Sequence, residues 1–387
     1  MKKLRGLALL GVTVMIGLYG CSPAETVSET SASFKAEESA SREEETSEKE
    51  TAGEFEVTDM KGRTVTIPSD AERFVCIGPG CLRLYCYVAD ENELAGVEEV
   101  EVSWGDDGRT YRMAMENIEQ YDIIGPGGPG NAPDAERLFA ADADVIFSCY
   151  SMESAEIDEL QNKIMTPIVA LNYGNASLFA EEVNQSLTLI GKITGNEKRA
   201  EEVIQYFESA KEDLKARSAN VEVRPSIYLG CQSHRGSHGI ESTTGDYPLF
   251  DVLGAENVVA NAGIHEYIML DKEKILEMDP DIMIIDAGGL ELLKEDYAAN
   301  PDFYQSLSAV KNEKLYLQMP FNYYSTNIDI ALADAYYIGT VLYPEQFADI
   351  DPEEKFNEIT KEMLGIEAYD RIGKAYYGGY QKVKLEK

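Results

Sequence analysis

Between Glu197 and Asn220 the chain is written as one long amphipathic helix. Ala200, Val203, Ile204, Phe207, Ala210 and Leu214 recur at steps of three and four, while Glu201, Glu202, Glu208, Lys211 and Glu212 fall on the opposite side. That spacing gives a single apolar face. The rod runs about six turns, roughly 35 Å. Gly195-Asn196 breaks and caps the chain before it, and Arg224-Pro225 turns it extended afterwards. With α/β sequence on either side, this helix reads as a spine joining two lobes.

A short internal echo supports the two-lobe reading. Glu136-Arg137-Leu138-Phe139-Ala140-Ala141-Asp142-Ala143-Asp144-Val145-Ile146 matches the pattern of Glu273-Lys274-Ile275-Leu276-Glu277-Met278-Asp279-Pro280-Asp281-Ile282-Met283, at a constant offset of 137 residues (273 less 136). In both, a short helix passes through an Asp-x-Asp turn into a buried strand, which points to duplicated architecture. Around these lie a hairpin over Phe55 to Pro68, a strand at Phe74 to Ile77 and a helix from Cys81 to Asp90 with Leu82, Tyr85, Cys86 and Ala89 inward. Further strands are expected at Val145 to Cys149, Pro167 to Leu171, Ser226 to Gly230, Asp281 to Ile285 and Lys314 to Gln318. Strands alternating with helices predict an α/β fold with mostly parallel sheets, whose ligands sit at the carboxyl ends of the strands.

The N-terminus differs. Lys2, Lys3 and Arg5 precede an apolar run from Leu7 to Leu18, and Leu18-Tyr19-Gly20-Cys21 follows. This is the layout of a signal peptide over residues 1–20 that ends in a lipobox, with Cys21 lipidated. Residues 21–53, rich in Ser, Thr and Glu, bury too little to fold and form a disordered tether. The expected organisation is then an N-terminal lobe over 54–195, the helix over 196–220, and a C-terminal lobe over 221–387 with a C-terminal helix. The net charge of −36 and the lack of a basic patch argue against a nucleic-acid partner. With Cys21 set aside five cysteines remain, no CxxC occurs, and buried unpaired thiols are expected.

Several loops carry chemistry. Gly78-Pro79-Gly80 leads into a helix N-terminus with free N–H groups. Gly125-Pro126-Gly127-Gly128-Pro129-Gly130 has prolines where a nucleotide-binding turn needs flexibility, so it is read as a rigid loop. Cys231 to Gly239 holds two of the three histidines beside Arg235, and Pro320 to Tyr324 ends in two tyrosines that either meet a ligand or pack on Trp104 or the core. An extracellular hydrolase with His234 or His238 as base is the competing class, but no Gly-x-Ser-x-Gly elbow or paired-carboxylate signature supports it.

Thr58-Asp59-Met60-Lys61-Gly62-Arg63-Thr64-Val65-Thr66-Ile67-Pro68, Glu93-Leu94-Ala95-Gly96-Val97-Glu98, Pro280-Asp281-Ile282 and Asn327 to Ala335 occur in that order. With them, residues 55 to 365 resemble the substrate-binding lipoproteins of ABC importers for iron-siderophores and vitamin B12. The resemblance implies two α/β lobes joined by one long helix, a binding role without catalysis or cofactor, and an ABC permease with its ATPase as partners. It implies permease docking through Glu136 and Glu273, and a ligand cleft with Gly80, Cys81 and Arg83 on one wall and His234, Arg235, His238, Tyr323 and Tyr324 on the other. Tyr150 and Tyr173 are further candidates. All three histidines lie in the second half, so direct capture of a bare metal ion is not expected. Arginines and tyrosines suit an anionic ferric chelate, with an oxyanion such as molybdate or tungstate, or a corrinoid, as the rival ligand. The expected location is the extracytoplasmic face of the membrane, held there by lipid on Cys21.

Overall fold

A computed structural model describes residues 53–174 and 178–385. Cys21, the signal segment, the tether to residue 52 and Ser177 lie outside the described residues. Among the described residues no helix is long and apolar enough to cross a membrane.

The body opens with an antiparallel hairpin, β1 (Glu54–Thr58) and β2 (Thr64–Pro68), in register from Glu54 opposite Pro68. Val57, Val65 and Ile67 point inward and their neighbours outward, as period-two alternation requires. A parallel four-stranded sheet follows: β3 (Phe74–Ile77), β4 (Leu94–Gly96), β5 (Val145–Ser148) and β6 (Ile168–Ala170), in the order β4-β3-β5-β6. The second half adds β7 (Ser226–Gly230), an antiparallel pair of β8 (Ser242–Thr244) with β10 (Tyr267–Met269), and β9 (Glu256–Asn257) between them in the chain, then β11 (Ile282–Asp286), β12 (Leu315–Gln318) and β13 (Gln381–Lys382). Its main sheet runs β13-β12-β11-β7-β9, parallel except for β13.

The two sheets share one winding. Removing β13 leaves β9-β7-β11-β12, which matches β4-β3-β5-β6 strand for strand. The sequence echo sits at equivalent points of it. Asp142 and Asp279, 137 apart, both adopt left-handed backbone angles at the end of the short helix, where Asp is better tolerated than most residues. Two residues on, Asp144 accepts hydrogen bonds from the Glu72 and Arg73 amides, and Asp281 accepts them from the Ser226 amide and hydroxyl. In each half the Asp-x-Asp turn therefore ties the incoming strand to the start of its neighbour.

The long helix spans Glu197–Ser218 and buries Ala200, Val203, Phe207, Ala210 and Leu214, with Ile204 half-buried at the margin. It packs on helices Cys81–Val88 and Glu181–Thr194 of the first half and on Ile328–Leu342 and Pro248–Val252 of the second. The helix before it spans Glu181–Thr194. Helix Cys81–Val88 stops two residues short of the expected end, and it is buried nearly all round, because neighbours cover both flanks: Leu84 and Tyr87 are enclosed, and Cys86 is only half-buried. The second half carries C-terminal helices, followed among the described residues by a strand. Pro352–Leu364 crosses back to pack on helices Cys81–Val88 and Thr110–Ala114, Tyr369–Ala375 follows, and β13 closes the sheet edge.

Candidate functional site

The carboxyl ends of β3, β5, β7, β11 and β12 deliver loops that meet in one region between the halves. Arg83 stands at its centre and is fully buried. Its guanidinium donates to Asn327 Oδ1 (2.9 Å), the carbonyls of Thr326 (2.9 Å), Tyr323 (2.9 Å) and Tyr324 (3.2 Å), and the Tyr173 hydroxyl (3.2 Å). Five N–H groups meet five acceptors. Arg83 thus staples the first half to the loop after β12, and none of its donors is left for a solute in this arrangement.

A second junction forms around Glu98. Its carboxylate accepts from the Gly78 amide (3.0 Å) and from the hydroxyls of Tyr150 and Tyr324 (2.8 Å each), while the Gly128 amide donates to Tyr324 Oη (3.0 Å). Burial raises the Glu98 carboxyl above the usual range. The glycine-proline loop earns its composition here. Gly127 has φ +61°, and a Cβ on it would come within 2.6 Å of Val100 and 2.9 Å of Glu98 Cβ, so only glycine lets this loop lie flush enough to aim Gly128 at Tyr324. Deeper in, Asp329 accepts from Tyr87 Oη (2.8 Å) and from the Thr110 hydroxyl. Trp104 packs at 5.9 Å from the Tyr323 ring and 5.4 Å from that of Tyr324, and Arg109 lies over Tyr323 at 5.4 Å.

The structure sorts the expected residues into two sets. Arg83, Tyr150, Tyr173, Tyr323 and Tyr324 come together at these junctions. Gly80 serves packing: its carbonyl accepts from Tyr173 Oη (2.8 Å), and a Cβ would meet that hydroxyl at 2.4 Å. The Cys81 thiol is fully buried and turned into the lobe. His234, Arg235 and His238 stand apart on the other wall, with His234 and Arg235 exposed. His234 stacks on Tyr267 at 4.0 Å, and His238 Nε2 lies 2.7 Å from the His234 carbonyl. Burial and the neighbouring Arg235 lower the His234 imidazole. Arg235 has φ +55° and no ion pair among the described residues. The base of this loop is held by Asp286, which accepts from the Ser233 amide and hydroxyl and from the Gly288 amide. Burial pushes its carboxyl up to about 6. Glu98, Arg109, Asn327 and Asp329 were not singled out in the sequence as site residues, although Glu98 and Asn327 to Asp329 lie within motifs that carried the resemblance.

No group of three or more metal-ligating side chains is assembled among the described residues. Two α/β halves hinged on one helix, with aromatic and charged loops meeting between them, define a bilobal binding protein. A family model described as periplasmic binding protein matches residues 105–320, and the chain belongs to that family. Its members are solute-binding proteins of ABC transporters, not enzymes. The chain is 22% identical over 262 residues to an uncharacterized ABC transporter substrate-binding lipoprotein of Bacillus subtilis, YvrC, covering 67% of this chain and 76% of that protein. It is 26% identical over 189 residues to the Fe(3+)-citrate-binding protein YfmC of the same organism, covering 49% of this chain and 58% of that one. Its fold matches a periplasmic solute binding protein from Veillonella parvula with a TM-score of 0.67 at 15% identity, over 84% of this chain and 97% of the other.

Proposed function

We propose that the protein is a lipid-anchored extracytoplasmic carrier that captures an anionic ferric chelate and delivers it to an ABC importer. The observation that carries this reading is the exposed guanidinium of Arg235 on the second wall. In a chain of net charge −36, Arg235 is exposed, has no carboxylate partner among the described residues and lies beside His234 and His238. A guanidinium so placed suits the oxygens of a carboxylate- or hydroxamate-rich complex, and the aromatic cluster of Trp104, Tyr323 and Tyr324 across the loops suits its apolar rim. The likeness to a Fe(3+)-citrate-binding protein supports the same solute class. Cys21 as the lipid anchor accords with the likeness to a substrate-binding lipoprotein.

Titration of the purified chain with ferric citrate, ferric hydroxamates, cobalamin, molybdate and tungstate tests the reading, followed by Trp104 fluorescence and by calorimetry. Saturable binding of a ferric chelate is the expected result, and Arg235→Ala is expected to weaken it by about tenfold or more, the scale of one charge-assisted pair. Binding of molybdate or tungstate alone would replace the solute while keeping the carrier role.

The resemblance to importer-binding lipoproteins implies docking through the two carboxylates that the echo relates. Glu136 and Glu273 are both exposed in the first turn of a short helix, Ala135–Ala140 and Lys272–Met278, at equivalent places in the two halves. Carboxylates there are favoured by the helix dipole and stand free to meet cationic groups on a permease. The double substitution Glu136→Ala, Glu273→Ala is expected to leave solute affinity unchanged and to abolish uptake in cells. Unimpaired uptake would remove these residues from the docking role.

A further inference from the structure

A groove of about 1080 Å³ runs along the β13 edge of the second sheet and shares no residue with the two junctions of the cleft. Helix Leu290–Ala299 forms one bank, and β13 with the residues that follow it forms the other. The floor is apolar. Leu290, Tyr297 and Leu317 are buried there, and Val383 and Leu385 pack half-buried in the same cluster. Gln381 stands opposite Leu317 where β13 pairs with β12, and the Val383 amide donates to the Leu315 carbonyl (2.9 Å). Period-two alternation therefore sends Val383 and Leu385 to the floor and leaves Lys382 and Lys384 at the rim. The charge of that rim runs against the charge of the chain. Aspartate and glutamate outnumber lysine and arginine 70 to 34, yet three lysines and, among the described residues, no carboxylate line the groove. Lys294 is engaged, donating to Glu291 Oε1 (3.0 Å) and lying over the Tyr377 ring at 4.8 Å. Lys382 and Lys384 are exposed and make no ion pair among the described residues. Tyr377, which also lines the groove, is 43% exposed at φ +58°, a left-handed conformation that a bulky residue adopts only at a cost.

We propose that this groove is a second binding site, for a fatty carboxylate, with the alkyl tail on the apolar floor and the head at the rim by Lys382 and Lys384. The floor supplies affinity in proportion to the hydrocarbon it covers. The rim supplies the selection, because two ammoniums without carboxylate partners in an acidic chain favour an anionic head over a neutral one. Lysine suits this task. Its ammonium is a point charge on a flexible stem, and it can lean over a head that keeps part of its water. The volume reaches the upper end of the range of small-molecule sites, roughly 300–1,000 Å³, which leaves room for a flexible chain. The proposal stands whichever solute the cleft carries.

Calorimetric titration of the full chain with octanoate and decanoate, below the concentrations at which they form micelles, tests the site. Decanoate is expected to bind saturably and about tenfold more tightly than octanoate, the scale of two further buried methylenes. Decyl maltoside, with the same tail and no charge, is expected to bind at least about tenfold more weakly than decanoate. Two variants place the ligand. Ala298→Trp sets an indole into the groove from an exposed position on its helical bank and is expected to abolish decanoate binding. The double substitution Lys382→Glu, Lys384→Glu is expected to weaken it by about tenfold or more, the scale of two exposed charge pairs turned repulsive. Urea unfolding establishes that each variant folds. No saturable binding of decanoate, equal affinity for decyl maltoside, or undiminished binding by either folded variant would overturn the proposal. Binding to phosphatidylglycerol vesicles that Ala298→Trp abolishes, without affinity for free decanoate, would give the groove to the membrane surface and overturn it as well.

Discussion

Arg83→Met is expected to destabilise the folded chain by on the order of 3–5 kcal/mol, the scale at which removing one side of a buried charged network is felt. Methionine fills much of the same volume and leaves no cation behind. The loss is therefore borne by the acceptors: the carbonyls of Thr326, Tyr323 and Tyr324 and the Asn327 amide oxygen, all turned toward a guanidinium that is gone. An unsatisfied buried acceptor costs about 1–3 kcal/mol, although relaxation and entering water recover part of the sum. Lysine does not rescue the site, because one ammonium with three donors cannot serve acceptors spread around a planar fork. Thermal and urea unfolding measure the effect. A loss below about 1 kcal/mol would mean that the loop from Tyr323 to Asn327 is held by its other contacts.

Asp286 is expected to make stability depend on pH, and the sign follows from burial. Its carboxyl is pushed up to about 6 in the folded chain, against about 3.9 when exposed. From about pH 4 to 6 the folded chain holds a proton that the unfolded chain has released. The contribution is therefore complete below about 4 and is lost as pH rises through 6. At 1.36 kcal/mol per pKa unit this amounts to on the order of 2–3 kcal/mol. Asp286→Asn keeps an oxygen for Gly288 and Ser233 and cannot titrate. Relative to the unmodified chain, it is expected to gain about that much between pH 4 and pH 8 in urea unfolding. Glu98 and Asp329, whose carboxyls burial also raises, are common to both proteins and drop out of the comparison. A difference independent of pH would show that Asp286 is already ionised in the folded chain at pH 4.

What could be read in the sequence and what could not divide along a physical line. The hairpin, the long helix and the Asp-x-Asp turns are local devices, so period, capping and a repeated motif revealed them within a residue or two. The two-residue strands β9 and β13 carry no period at all, and only their neighbours make them strands. Arg83 is the instructive case within the site. An arginine in a short helix reads as a group reaching for solvent or solute, and its burial depends on acceptors some 240 residues away in sequence. The exposed loop with His234, Arg235 and His238 was legible because glycine and polar residues after a strand mark a loop whatever it touches.

The bonds that run from Arg83, Tyr87 and Glu98 to the loop and helix around Tyr324 and Asp329 have a kinetic meaning. On the reading that the solute is held between the two walls, it enters only while those bonds are parted, so the open fraction multiplies the intrinsic affinity. Association is then set by the frequency of opening once solute is abundant: the observed rate should level off with concentration, and variants that loosen the staple should raise the plateau.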